Sequence, residues 1–418
     1  MISSRPLAFE VLDRIQTVMI CVYTMFIPLS FYYGIELRDS QEAFFQFGCV
    51  FLILINILCQ KRSLMVKENI WLFSLIAWFF FVFCYYKFQV GNAVIMNTFL
   101  GVALYMTSCN SLKREHFSLV MKSIIVVCTL NCVYLMSQSL GYDPIFLLRG
   151  GMSGCDTAGS FGLKAAMGMY FGMAMAAFCY FNIFFGLVCL YPVYLSVCSG
   201  AVFGTMAGGL FLLWHRFRIW FWAGLIVCII AGTFYIVKKD NPMGTNNTRF
   251  TMWSDTLKVS MKKPLTGWGL DGFRNVYGEK QFLFMRIGPK EVDYAKRENY
   301  VVSAEMVKTG GVPQGHRDLW DNAHFSLLQL FFEAGIVAVV LTCGFIYSMF
   351  KRFKRSFKSK EVLTLMAMFI VFLVSSFTQF PERLARLVYL IPLLMAFFII
   401  YTETDETNTD NRAADRWA

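Results

Sequence analysis

Twelve stretches of this chain stay apolar for about the length that crosses a lipid bilayer, and that recurrence excludes most folds before any motif is read. A hydrocarbon core of roughly 30 Å takes a helix of about 17 to 25 apolar residues. Such runs lie near 16–34, 43–59, 70–86, 92–109, 118–138, 163–181, 183–199, 200–214, 217–236, 326–349, 362–378 and 384–402. The run near 200–214 is short and rich in glycine, so the total carries a margin of one or two. Hydrophobic residues make up 57% of the chain and charged ones 16%, against about a quarter charged in soluble domains. Such a chain needs a solvent other than water. We therefore expect an all-α integral membrane protein with about 12 transmembrane helices. Nine of these fill residues 1–236 and three fill 326–402. One large extracytoplasmic loop over 237–325 separates the two groups, and 403–418 is expected to be a disordered cytoplasmic tail.

Lysine and arginine set the orientation. With the N-terminus in the cytoplasm, the inward loops carry Lys61, Arg62 and Lys67, then Lys113 and Arg114, then Arg216 and Arg218, and then "KRFKRSFKSK" at 351–360. The short outward loops are mostly poor in such residues. Both termini are then cytoplasmic, and the first helix reads as an uncleaved anchor because "MISSRPLAFEVLDRI" mixes acids and bases before a run of span length. The net charge of +11 is assigned to topology and to lipid headgroups, with no nucleic acid as partner. Of the thirteen cysteines, only Cys155 sits well inside an outward loop. A disulfide framework is not expected, and no CxxC pair offers a thiolate metal site.

The outward segments break the monotony. "LGYDPIFLLRGGMSGCDTAGSFG" at 140–162 is rich in glycine and turn residues. Within the large loop, "NNTRFTMWSDTLKVSMKKPLTGWGLDGF" at 246–273 predicts a surface helix followed by glycine turns. Asn247 or Thr248 caps its start, and Trp253, Leu257 and Met261 recur every four residues as one apolar face, suited to a membrane surface or to the helix bundle. Lys262 and Lys263 suit a helix C-terminus, and Pro264 stops the helix. Gly267, Gly269 and Gly272 permit a tight reversal around Trp268; with no P-loop spacing, a plain turn is favoured over a phosphate cradle.

His324 is the sharpest chemical candidate. Asp321 and Asn322 are good N-caps, so the imidazole is expected near the first turn of the following span, at the water interface. The positive end of the helix dipole favours the neutral ring, a general base for a hydroxyl at near-neutral pH, whereas Asp321 pulls the other way. The sequence does not rank these influences, and a histidine merely bonded to a nearby carbonyl is the plain alternative. Arg249 opens the surface helix, where a guanidinium and free backbone N–H groups together suit a phosphate oxygen; a solvated helix-start residue is its plain alternative. Arg149 and Lys164 flank the other glycine-rich loop, Lys164 just inside a span, where it either snorkels or faces a partner. Arg383 and Arg386 are positioned to join the same cationic cluster, with Glu382 close enough to neutralise one of them. There is no HExxH, nucleophile elbow or DxD-type site in an outward loop, and "DNPMGTNN" at 240–247 lacks the carboxylate density of a calcium site. No cofactor or metal is expected.

These residues carry a resemblance. The pattern Arg249, Trp253, Pro264, Gly267, Gly269, Phe273 resembles the Arg-x-x-x-Trp, Pro-x-x-Gly-x-Gly and Phe signature of the O-antigen ligase and O-antigen polymerase superfamily. His324, Phe325, Gly335 and Ala338 resemble the ligase motif in spacing, although Phe325 replaces a small polar residue and Ala338 the usual Gly, Thr or Tyr. "AGSFG" at 158–162 looks like the glycine-rich turn of the family. The family's Ser-Arg-Gly appears as Ser199, Gly200 and Ala201, so that arginine is absent, and Lys164 or Arg149 would take its place.

The resemblance implies a GT-C-like membrane glycosyltransferase that takes glycan from an undecaprenyl diphosphate-linked donor at the periplasmic face of the bacterial inner membrane. Diphosphate is a good leaving group, so cationic side chains can stabilise its developing charge without a metal ion. His324 would accept the proton of the attacking acceptor hydroxyl. Arg249 and the other cations, with Trp253 on the surface helix, would hold the donor. In a ligase the acceptor is lipid A–core; in a polymerase it is another lipid-linked repeat. A non-enzymatic lipid or glycan transporter is the remaining alternative, although its usual mid-membrane charges and two related halves are not visible here.

Overall fold

The apolar runs fold almost throughout as helices. The computed structural model describes residues 7–29, 37–58, 69–86, 92–142, 160, 164–216, 218–238, 252–273, 323, 325–356, 359–377 and 389–414. Helix accounts for 88% of them and no strand occurs among them, so the fold is all-α. In chain order the helices are α1 (Leu7–Leu29), α2 (Leu37–Leu58), α3 (Asn69–Tyr85), α4 (Asn92–Ser111), α5 (Phe117–Ser139), α6 (Lys164–Phe181), α7 (Ile183–Gly186), α8 (Leu190–Leu195), α9 (Ser199–Arg216), α10 (Arg218–Lys238), α11 (252–260), α12 (Ser326–Ser356), α13 (Lys360–Ser375) and α14 (Leu390–Ala414). Among the described residues, two helical stretches are long and apolar enough to cross a membrane, Arg114–Ser139 and Ser326–Lys354. Several shorter helices are equally apolar, among them Asn69–Tyr85 and Leu390–Thr402.

Two expectations are corrected. The run near 183–199 does not form one helix: α7, a 3-10 turn at Leu187–Cys189 and α8 succeed one another. Pro192 has no N–H to donate to the carbonyl four residues back, which lies in that 3-10 turn. At the C-terminus, α14 continues to Ala414, so most of the stretch expected as a disordered tail is helical. Once the apolar part from Leu390 has nucleated the helix, each further residue adds one bond at little cost.

The chain forms two compact units. The first comprises Met1–Lys67, Asn97–Ile236 and Tyr347–Ala418. Its centre is α6, in which every residue from Ala166 to Phe178 is buried. The small residues of this helix and of α9 let backbones come close, which is how helices associate when apolar burial does not distinguish one face from another. A Cβ on Gly204 would lie 2.8 Å from the Val371 carbonyl of α13, and one on Gly208 3.1 Å from that of Ala367. Buried polar groups tie the remaining helices: Tyr389 Oη donates to the Thr24 carbonyl (3.1 Å), and Asn131 Oδ1 accepts from both the backbone N–H and the Oγ of Ser160, each at 2.8 Å. Ser160 comes from the glycine-rich segment of the sequence, and a buried asparagine of α5 holds it.

The second unit comprises Glu68–Met96 and Val237–Ile346. It joins α3, α11, the glycine turns to Phe273, and α12 as far as Ile346 around two apolar clusters. Met252, Val259, Phe273, Ala323 and Phe332 form one, with Trp253 and Trp268 against it. Val82, Leu270, Ala334 and Ala338 form the other, flanked by Trp78, Tyr86 and Leu330. The surface helix packs by a face beside the Leu257 and Met261 part of its apolar stripe. Leu257 and Met261 are 48% and 61% exposed, while Met252, Val259, Thr256 and Ser260 are buried. Thr256 and Ser260 return their hydroxyls to carbonyls four residues back (2.7 and 2.8 Å), which makes them compatible with an apolar surface.

Candidate functional site

The two segments that carry the motifs, 252–273 and 323–338, close on one another within the second unit, and Gly335 is the reason. Its backbone (φ 76°, ψ −178°) leaves the helical path inside α12 and divides it into two helical stretches. A break of this kind strips partners from the carbonyls of the preceding turn and from the next N–H. Four such groups find replacements outside the helix. The Phe332 and Glu333 carbonyls accept the backbone N–H groups of Trp268 (2.8 Å) and Gly269 (3.0 Å). The Ala334 carbonyl accepts the indole N–H of Trp78 (2.7 Å), and the Ile336 N–H donates to the Pro264 carbonyl (2.8 Å). The Pro-x-x-Gly-x-Gly loop is thus the complement of a broken helix.

This arrangement decides between the two readings of the glycines. The loop has positive φ at Gly267 (67°) and Gly269 (100°), as a tight reversal requires. A Cβ on Gly267 would come within 2.6 Å of the Phe332 and Glu333 carbonyl oxygens. Because the N–H groups of Trp268 and Gly269 already donate to α12, they are not available to cradle a phosphate. The loop is a clasp.

Side chains reinforce the clasp. Tyr86 Oη donates to the Gly267 carbonyl (2.5 Å), and Lys263 Nζ lies 3.3 Å from Tyr86 Oη and 4.3 Å from the centre of the Trp268 ring. Lys263 is therefore held over aromatic faces, an attraction worth about 0.5–2 kcal/mol. Trp268 Nε1 donates to the Val259 carbonyl (2.9 Å), joining the clasp to α11. Lys258 pairs with the buried Asp255 carboxylate at 3.2 Å. Trp78→Phe removes the indole donor to the carbonyl of the fully buried Ala334 at the break, and is expected to lower stability by about 1–3 kcal/mol, read as a fall in the detergent-solubilised melting temperature. An unchanged melting temperature would mean that the bond contributes nothing.

Trp253 is brought directly to the approach of His324. Its indole N–H donates to the Ala323 carbonyl (2.8 Å), and its ring centre lies 5.6 Å from that of Phe325. Ala323 and Phe325, which flank His324 in the chain, thus both meet Trp253. With its N–H engaged, Trp253 offers a ligand only its ring. Lys164 belongs to the first unit, where it is half-buried at the start of α6. Gly200 is buried at the start of α9, and its carbonyl accepts from Ser375 Oγ (3.1 Å). His324, Arg249, Arg149 and Arg383 lie outside the described residues.

Four participants escaped the sequence reading: Trp78, Tyr86, Gln329 and Glu333. The last two carried a signal, because an amide and a carboxyl one turn apart inside an apolar run are costly to bury and rarely idle. Trp78 and Tyr86 carried none, since aromatic residues are ordinary in an apolar helix. No group of three or more His, Cys, Asp or Glu side chains suited to a metal ion occurs among the described residues. Compared with known proteins, the chain matches no protein-family model and no curated protein.

Proposed function

We propose that the protein is a multi-pass membrane glycosyltransferase of the O-antigen ligase type, which moves glycan from an undecaprenyl diphosphate-linked donor to lipid A–core at the periplasmic face of the bacterial inner membrane. The observation that carries this reading is the mutual fit of the two motif segments. The Trp253 indole meets the peptide leading into His324 (2.8 Å), and the glycine loop receives the broken turn before Gly335. Two signatures recognised separately in the sequence thus belong to one local construction. The reading takes about twelve spans in a GT-C-like arrangement, of which the all-α fold is the part observed.

In this reading His324 takes the proton from the acceptor hydroxyl as it attacks the anomeric carbon. The bond from that carbon to the diphosphate oxygen breaks, and undecaprenyl diphosphate leaves with the electron pair. Arg249 holds that diphosphate. Arg249→Lys is expected to weaken the apparent donor affinity about tenfold, since lysine cannot grip two phosphate oxygens in one plane. Equal affinity in that variant would remove Arg249 from the donor site.

The deciding assay combines purified protein in lipid, a lipid-diphosphate-linked glycan and lipid A–core, with and without chelator. Glycan on lipid A–core supports the ligase. Longer lipid-linked chains in the absence of lipid A–core would identify a polymerase instead. Movement of intact donor across the bilayer without glycosidic bond formation would identify a transporter, the class in which interrupted helices such as α12 recur.

A further inference from the structure

Gln329 and Glu333 sit inside the apolar part of α12 and are almost fully buried, at 2% and 4% exposure. Gln329 Nε2 donates to Glu333 Oε1 (2.9 Å), and Gln329 Oε1 accepts the backbone N–H of Ala323 (2.8 Å). The carbonyl of the same residue accepts the Trp253 indole, so Ala323 is held at both of its polar groups, by a side chain six residues on and by one seventy residues back. Phe325, beyond His324, is fixed as well: its carbonyl accepts the Gln329 backbone N–H (2.9 Å) and its ring lies against Trp253.

An amide side chain has a donor end and an acceptor end, and Gln329 serves Ala323 only when its oxygen points that way. The carboxyl oxygen of Glu333 supplies the acceptor that fixes this choice. Leucine at either position would fill an apolar helix with no such burial cost. We infer that Gln329 and Glu333 are positioning residues, which hold the backbone that carries His324, with Glu333 acting through Gln329. Their catalytic consequence rests on the glycosyltransferase reading, whereas the clamp itself does not. Small displacements of a reacting group, of the order of 1 Å, lower rates about 10²-fold, so a histidine on a loosened peptide forfeits most of its effect.

Hydrogen exchange of the full-length protein in lipid nanodiscs tests the clamp independently of activity. Gln329→Leu and Glu333→Leu are each expected to speed exchange at Ala323 about tenfold or more, whereas Glu333→Gln, which keeps an acceptor oxygen, stays near the unsubstituted rate. In the transfer assay, Gln329→Leu should lower kcat about 10- to 100-fold with the donor KM within about twofold, and should add nothing further in a His324→Ala background. If leucine unfolds the protein, Gln329→Asn keeps the amide but shortens its reach, and the same two effects are expected. Unchanged exchange at Ala323 would overturn the clamp, and faster exchange with full kcat would overturn its catalytic role. Collapse of Glu333→Gln to the level of Glu333→Leu would show that the carboxyl acts by its charge and not by orienting Gln329. Full transfer by His324→Ala would sink the glycosyltransferase mechanism and with it the catalytic part of this inference, while the exchange measurement would still decide the clamp.

Discussion

Gly335→Ala is expected to destabilise the protein by about 3 kcal/mol or more and to abolish its activity. The backbone of Gly335 lies in a region that residues with a side chain essentially do not enter. An added Cβ would also overlap the Leu265 carbonyl and come 2.8 Å from the Thr266 nitrogen, both of them backbone atoms that cannot rotate away. The chain can escape this clash only by straightening α12 or by releasing the loop. Either route breaks the bonds from Trp268, Gly269 and Trp78 to the broken turn and the bond from Ile336 to Pro264. Each loss strands a buried donor or acceptor. Thermal unfolding in detergent, together with the yield of folded protein, measures the effect. A variant with the original melting temperature and full activity would show that α12 is not broken at this residue.

His324→Ala is expected to slow glycan transfer by about 10²- to 10⁴-fold, the range a general base contributes, while insertion into the membrane and the melting temperature stay unchanged. The fall should appear in kcat, because the proton moves only in the transition state. It differs in kind from the Gly335 effect, which arises from the fold and takes stability with it. Transfer at the original rate would remove the imidazole from the reaction.

Much of the helical layout was legible locally. The runs near 92–109, 118–138 and 163–181 correspond to Asn92–Ser111, Phe117–Ser139 and Lys164–Phe181. Helix bonds join residues four apart, so a long apolar run with few interruptions specifies its own backbone. Hydropathy missed that the run near 183–199 is not one regular helix, because it does not register the N–H that Pro192 lacks. Periodicity identified Leu257 and Met261 as part of an apolar stripe without naming what covers it, and the fold leaves both exposed.

At the candidate site, residue types and spacing were enough to single out Trp253, Pro264, Gly267, Gly269, Phe273 and Gly335 as related to a known pattern. What those residues do for one another was decided by the fold. Glycine at 335 is compatible with an unbroken helix, and only the donors of Trp268, Gly269 and Trp78 make a break there stable. Likewise Gln329 and Glu333 are two polar residues in an apolar run until Ala323 arrives beside them. Short-range hydrogen bonding and solvent transfer act on neighbours along the chain, so the sequence by itself determined the helices and their apolar character. The break, its clasp and the held peptide before His324 depend on groups tens of residues or more apart meeting in space, and only the tertiary structure decided those.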